Sequence, residues 1–469
     1  MPDEINMCGI LGIWSSIPFS KRVFVGWLRA LRHRGQEAAG VVWSSETLST
    51  WMSSASTLAF SSGTGGVDEC VTSALGHARY STSGIKEGGA QPLIAPSFTR
   101  GGKINAFVHN GNVVPFEDPG AKLSDSAAMW AWLLDTYKTN GSWEATLQTL
   151  ISSHKGAFSI VIDTDDGVYV ARDRYGVRPL WVAFDSPTTT YMVMSETCAI
   201  PDANGWKDVP PIQVRPGEIR CAVRNHEYEF NGCSWKRLWR FAKPVDHRFC
   251  SFEWIYLQHH TSSQVYGYRY ELGEALALDE VSPVDPETAI VACMPRTAIP
   301  MAAGFADALG LTFCEGAIQK APKSERTFIL PSEDARREAC KVKFVYSKPL
   351  LEGKDVFLVD DSLVRGTTIK ATLDKLATLG VGKVHVRIAS PPVANPCDKG
   401  IDIPTKTELA WSRVSYKDKD DDKDKEEILA SSLGCASLRY LPVERLKAVI
   451  GSKVCTYCFT GEQAWSDAF

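Results

Sequence analysis

Cys8 stands near the start of the chain, ahead of the small apolar run Gly9-Ile-Leu-Gly-Ile-Trp14. If residues 1–7 are removed, it carries a free α-amine beside its own thiol, so one residue supplies both nucleophile and base. The amine's ordinary pKa of roughly 7.7 to 8.0 lets it accept a proton near neutrality. Residues 1–7 read either as a cleaved propeptide or as a misassigned start with Met7 as the true initiator, and both routes expose Cys8. Position alone favours a plain buried thiol.

A second set of reactive types is Val356-Phe-Leu-Val-Asp-Asp-Ser-Leu-Val-Arg-Gly-Thr-Thr368. A buried strand ends in Asp360 and Asp361, the loop Ser362 to Arg365 follows, and Gly366, Thr367 and Thr368 open a helix. Free backbone N–H groups at a helix start bind phosphate, glycine permits close approach, and threonine hydroxyls add donors. The bland alternative is two strand-end carboxylates serving as caps. Near the end, Cys455-Thr-Tyr-Cys458 is a CxxC pair, a moderate metal signal.

The elements that must carry these residues differ between the halves. Up to about Pro244, short runs such as Ala106 to Asn110, Phe158 to Asp163 and Tyr191 to Ser195 alternate with turn residues, and a helical pattern covers Asp125 to Tyr137. This predicts an α+β domain of layered antiparallel sheets over residues 8–245. From there on, continuous apolar runs are each followed by a helix: Ala289 to Cys293 then Pro300 to Leu309, and Val356 to Asp360 then Thr367 to Leu379. Such alternation predicts an α/β domain with a parallel sheet over residues 246–469. The run Lys417 to Glu427 sets four lysines against seven acidic residues and reads as a solvated loop or helix start.

A chain of 469 residues exceeds one ordinary core. With 44% hydrophobic and 23% charged residues and a net charge of -4, it is a soluble type with no basic excess for nucleic acid and no membrane segment. Acidic residues at the N-terminus replace the Lys or Arg of a secretory signal, so the cytoplasm is the expected compartment. Thirteen cysteines, an odd number, fit buried thiols, a nucleophile or metal ligands better than a disulfide framework.

Four strings follow Cys8 in order: Arg32-His-Arg-Gly-Gln-Glu-Ala-Ala-Gly40, Gly76-His-Ala-Arg-Tyr-Ser-Thr-Ser-Gly84, His109-Asn-Gly-Asn112 and Ser124-Asp-Ser126. Together they resemble the N-terminal-nucleophile glutaminase domain of glutamine amidotransferases. The resemblance implies an αββα fold, Cys8 as nucleophile, Arg79 and Asp125 on the substrate's carboxylate and ammonium, and Asn110 with Gly111 stabilising the oxyanion. Singly, Arg79 reads as a surface cation, Asp125 as a helix N-cap and Asn110-Gly111 as a hairpin turn.

The Val356 to Thr368 string resembles the phosphoribosyl pyrophosphate motif of the type I phosphoribosyltransferase fold. It implies that Asp360 and Asp361 hold the ribose hydroxyls and a Mg2+ shell, with Thr297 adding a hydroxyl, while Ser362, Arg365, Gly366, Thr367 and Thr368 cradle the 5′-phosphate. The two halves in this order resemble the amidophosphoribosyltransferase family from Cys8 to about Glu462, through Arg172 to Leu180, Ser195-Glu-Thr197 and Phe252-Glu-Trp-Ile-Tyr256 as well. That implies glutamine and phosphoribosyl pyrophosphate as substrates, purine nucleotide effectors, and a homo-oligomer, tetramer or dimer. In the family's iron–sulfur branch, Cys250 and Cys397 join Cys455 and Cys458 around a [4Fe–4S] cluster. Zinc accepts the same four thiolates, and plain buried thiols are the third reading.

Three strings depart from the family pattern. Pro295-Arg-Thr-Ala298 replaces Pro-Asp-Ser-Gly, Gln319-Lys-Ala-Pro-Lys-Ser-Glu-Arg-Thr-Phe328 replaces the lid string, and Gln258-His-His-Thr-Ser262 replaces Ala-Arg-Pro-Asp-Ser. Either Arg296, Lys320 and Lys323 hold pyrophosphate in another arrangement, or the acceptor is a different phosphorylated metabolite. A third reading makes the second domain a nucleotide-binding regulator.

Overall fold

The structure is a computed structural model that describes residues 7–36, 38–43, 51–53, 69–79, 89–95, 105–113, 116, 123–200, 209–224, 234–240, 247–282, 285–321, 344–397, 399–403, 405–414 and 422–463. The lid beyond Ala321, Lys323 with it, the expected boundary at Pro244 and the first part of the Lys417 to Glu427 run lie outside these residues. The rest of that run enters the helix Asp422–Leu433, whose Leu429, Ala430 and Leu433 are buried.

In the first half, seven antiparallel strands form one sheet, with Gly9–Ser20 central between Thr190–Met194 and Cys70–Arg79. Six form a second, in which Asn105–Asn112 pairs with Ala157–Asp163. Alternation along the opening strand explains the stacking. Ile10 and Trp14 point into a core shared with Val108 and Val161 of the other sheet, whereas Leu11 and Ile13 point outward onto Phe24 and Leu28 of the helix Lys21–Ala30. On the far side, Phe107, Phe158 and Ile160 pack under the helices Asp125–Asn140 and Trp143–Ser153 through Trp130, Leu133 and Leu147. The result is the expected αββα order of layers, and it buries both faces of each central strand.

The second half has five parallel strands, in the order Thr312–Phe313, Ala289–Cys293, Asp355–Asp360, Val384–Ile388 and Ser437–Tyr440. Helices Val265–Ala277 and Ile299–Leu309 cover one face through Leu272, Met301 and Phe305, while Thr367–Thr378 covers the other through Ile369 and Leu373. Both faces covered is what the uninterrupted apolar strands require. Among the described residues no helix is long and apolar enough to cross a membrane.

The halves meet over a mixed seam. Met7 is 3% exposed and belongs to the second half's core cluster with Cys250, Phe252 and Ile401.

Candidate functional site

Cys8 sits one residue ahead of the central strand, and Gly9 lies opposite Ala78, so Arg79 at the end of the neighbouring strand falls beside it. The Cys8 carbonyl accepts from Arg34 Nε at 2.9 Å, and the Met7 N–H donates to the Arg34 carbonyl at 2.8 Å. The first bond belongs to Cys8 itself and fixes the peptide that carries the thiol, whereas the second belongs to Met7.

Asn110 and Gly111 do not form a hairpin turn. They lie inside a strand, opposite Ser159 and Phe158. Gly111 has φ 151°, and a β-carbon there would come within 1.9 Å of the Ala157 carbonyl, so only glycine fits. Asn110 is 0% exposed, and among the described residues neither its amide nitrogen nor its oxygen has a partner. An orphaned buried amide is costly and marks a group kept for a ligand. Polar side chains behind it hold the strand. His77, opposite Ile10, reaches the His109 carbonyl at 3.1 Å, Gln91 Oε1 accepts from the His109 N–H at 2.6 Å, and His109 Nδ1 meets Ser126 Oγ at 2.9 Å. Burial, and then the nearby His109 and Arg79 charges, pull His77 down to about 3, so it is a neutral strut.

Asp125 is the first residue of its helix, not the cap. Ser124 caps it by accepting from the Ala127 N–H at 3.2 Å. Asp125 Oδ1 accepts from the Ser126 N–H at 2.7 Å, and its Oδ2 lies 3.9 Å from His109 Nδ1.

In the second half one cavity gathers Thr297, Asp360, Asp361, Ser362, Arg365, Gly366 and Thr368, with Arg296, Lys320 and Tyr256 on its wall. Thr367, the first residue of the helix, stands outside that lining. The two carboxylates cap no helix. Asp360 Oδ1 accepts from the Asp361 N–H at 2.9 Å, Asp361 Oδ1 accepts from Ser362 Oγ at 2.7 Å, and the helix opens at Gly366 with φ 80° and no side-chain cap. A helix start without a side-chain cap, opened by a glycine, is the kind of backbone that favours an anion. Ala298 has φ -79°, so the loop Pro295 to Ala298 makes no demand there that alanine cannot meet.

The four cysteines of the expected cluster converge. Cys250 and Cys455 are directly paired on two short parallel strands, and Cys250, Cys458 and Cys397 share one apolar cluster with Phe252 and Phe459. Burial pushes the Cys458 thiol well up, and Cys250, Cys455 and Cys397 close by add to it. Cys250 is raised in the same way, by burial first, against the Arg178 charge. The Lys399 N–H points at Cys397 Sγ, 3.3 Å away. Four thiols outside any disulfide, in apolar surroundings with a backbone donor, suit a group that takes them as thiolates.

Residues quoted in motifs but given no role turn out to join the halves. Arg34 and Glu253, both buried, pair through two nitrogens and two oxygens at 2.8 and 2.9 Å. Arg178 lies 3.8 Å from Glu253, contacts Met7 Sδ at 2.8 Å and donates to the Lys399 carbonyl. Glu196 is pushed up by burial, but His33 and Arg34 outweigh that and hold it below the usual carboxylate range. Ligand atoms of His33, Glu196 and Cys198 lie within 4.8 Å of one another. Glu196 is nevertheless already taken by Arg34, His33, the His259 N–H and Ser262, so the trio is a structural knot rather than a metal seat.

A glutaminase sandwich fused to a phosphate-binding parallel sheet defines a glutamine amidotransferase with a phosphoribosyltransferase half. The comparisons agree. Residues 63–213 match the glutamine amidotransferase domain family and residues 274–400 the phosphoribosyl transferase domain family. Amidophosphoribosyltransferase of Methanocaldococcus jannaschii is 34% identical over 97% of this chain and 97% of its own, and that of Bacillus subtilis is 32% identical over 97% and 94%. A structure of glutamine phosphoribosylpyrophosphate amidotransferase from B. subtilis, complexed with ADP and GMP, superposes with a TM-score of 0.77 at 30% identity over 98% of this chain and 99% of that one. This chain belongs to the amidophosphoribosyltransferase family.

Proposed function

We propose that this chain takes ammonia from glutamine at Cys8 and passes it to phosphoribosyl pyrophosphate, giving 5-phosphoribosylamine, glutamate and pyrophosphate. The observation that carries the first step is the buried, unpartnered Asn110 amide on the strand that His77 ties to Cys70–Arg79, the neighbour of the strand following Cys8. After loss of residues 1–7, the Cys8 amine takes the thiol proton and the sulfur attacks the amide carbon. Asn110 Nδ2 and the Gly111 N–H donate to the oxyanion, ammonia departs, and water releases glutamate from the thioester. Arg79 and Asp125 hold the substrate's carboxylate and ammonium.

In the second half, the Gly366 to Thr368 helix start and Ser362 take the 5′-phosphate, and Asp360 and Asp361 take the ribose hydroxyls. The ammonia nitrogen forms a bond to the anomeric carbon as the carbon–oxygen bond breaks; its electron pair leaves with pyrophosphate, and one nitrogen proton is lost. Thr297, Asp360 and Asp361 are the oxygen ligands that would hold Mg2+, which offsets phosphate charge when bound. Arg296 and Lys320, on the same cavity wall, receive the leaving group's charge.

Cys250, Cys397, Cys455 and Cys458 would hold a [4Fe–4S] cluster, which would join the segments carrying them as a covalent brace. Purine nucleotides act as effectors, a reading supported by the ADP and GMP bound to the B. subtilis relative. The working form is a cytoplasmic homo-oligomer, a tetramer or dimer. The residue roles are tested by glutamate release from the Cys8→Ala and Asn110→Ala proteins. Arg296 and the altered lid keep a different phosphorylated acceptor as the second reading, which an assay of pyrophosphate release decides.

A further inference from the structure

A second cavity of ≈ 600 Å³ adjoins the phosphoribosyl cavity and shares Tyr256, Arg296, Thr297 and Lys320 with it. Its far wall comes from the other half of the chain, where Arg29 and Arg32 end the helix Lys21–Ala30 and its following turn. Arg269 completes a set of five cations, and no carboxylate is present among its described lining residues, Glu196 lying behind them on His33 and the His259 N–H. Arg269 is buried, holding the carbonyls of Trp254 and Gln258 at 2.9 and 2.7 Å, and burial lowers it to about 10 despite neighbouring acids.

Three histidines stand among these cations. The His33 and His259 rings are 5.4 Å apart, and His259 stacks on His260 at 4.3 Å. Burial, then the charges of His33 and His260, pushes His259 down to about 4, and Arg269 and Arg296 likewise lower His260 after its burial. Arg269 and Arg296 thus act on His260 within the same cavity, in addition to its burial. A concave surface lined by one sign of charge concentrates the opposite ion, and its own repulsion is relieved when that ion arrives.

We propose that this cavity is a diphosphate site that receives the pyrophosphate displaced in the neighbouring phosphoribosyl cavity and holds it before release. The proposal rests on the phosphoribosyl pyrophosphate reading for its source, but the site is defined by its own residues. Arg296 and Lys320 face both cavities and so contact the leaving group at either end of the transfer. Arg32 and His260 line only the second cavity, and there they distinguish free pyrophosphate from the group still attached to ribose.

The experiment is calorimetric titration of the full-length protein with inorganic pyrophosphate, beside equilibrium binding of phosphoribosyl pyrophosphate. In Arg32→Ala and His260→Ala, pyrophosphate affinity should fall about tenfold, the size of one lost charge-assisted contact, with phosphoribosyl pyrophosphate affinity held within about twofold. Arg32→Lys, which keeps the charge on an exposed side chain, should restore most of the loss. Unchanged pyrophosphate binding in both alanine proteins, or equal weakening of both ligands, would overturn the site. So would ADP binding through Arg32 and His260 that pyrophosphate cannot displace, which would make the cavity a nucleotide site. If pyrophosphate binds as expected but phosphoribosyl pyrophosphate is not consumed, the site stands and the acceptor assignment fails.

Discussion

Arg34 and Glu253 face each other across the seam between the two halves, paired through both terminal guanidinium nitrogens and out of contact with solvent, while Arg34 Nε also holds the Cys8 carbonyl. The peptide carrying Cys8 is therefore tied to a residue three positions after Cys250. Removing one partner of a buried pair leaves the other charge uncompensated, which costs about 3–5 kcal/mol. Glu253→Ala should lose stability on that scale in urea unfolding, and glutamine-dependent turnover should fall with it. A loss under about 1 kcal/mol would show that Glu196 alone satisfies Arg34.

Asn110→Ala removes a donor that counts only once the oxyanion forms. Turnover of glutamine should drop about a hundredfold or more with KM little changed. A rise in KM at constant kcat would place Asn110 in substrate binding instead.

His77 supplies a pH signature. Its folded pKa of about 3 lies below the unfolded value of roughly 6.5, so between those limits the unfolded chain binds a proton that the folded chain does not. Stability should therefore decline as pH falls from about 6.5 toward 3, and the decline should shrink in His77→Gln. Thermal midpoints across that range, compared between the two proteins, test it; parallel curves would contradict the assignment.

The cysteine set predicts colour. Anaerobically purified protein should be brown with acid-labile sulfide, and Cys458→Ser should lose both together with thermal stability. Colourless protein carrying zinc would replace the cluster with a tetrahedral zinc site.

Much of this architecture is legible in the chain. Strands such as Val356 to Asp360 are continuous apolar runs because both faces are covered, and the helix at Thr367 announces itself by the glycine before it. The helix Lys21–Ala30 is not, because Val23, Val25 and Gly26 weaken its pattern and its Ser20 cap shows only in geometry. Local spacing is enough to bring Asp360 to Gly366 and Thr368 to one cavity. The Arg34–Glu253 pair joins positions 219 apart, and the cationic cavity is assembled from several separate segments, so neither leaves a local pattern. Glu253 shows only as a charge inside the aromatic string Phe252 to Tyr256, and Arg34 only as one of several charges in Arg32 to Gly40, so neither names its partner.

Cys8→Ala separates the two chemistries. It should abolish glutamine use and spare activity with added ammonia, because the phosphoribosyl cavity contains no residue of the Cys8 strand. Loss of both activities would mean that the nucleophile's peptide also supports the second site.

The central claim is most directly tested by incubating the protein with glutamine, phosphoribosyl pyrophosphate and Mg2+ and following glutamate and pyrophosphate in the same sample. The two should appear together in equal amounts, each dependent on the other substrate. Glutamate released without pyrophosphate would contradict the account by showing that the ammonia goes to another acceptor.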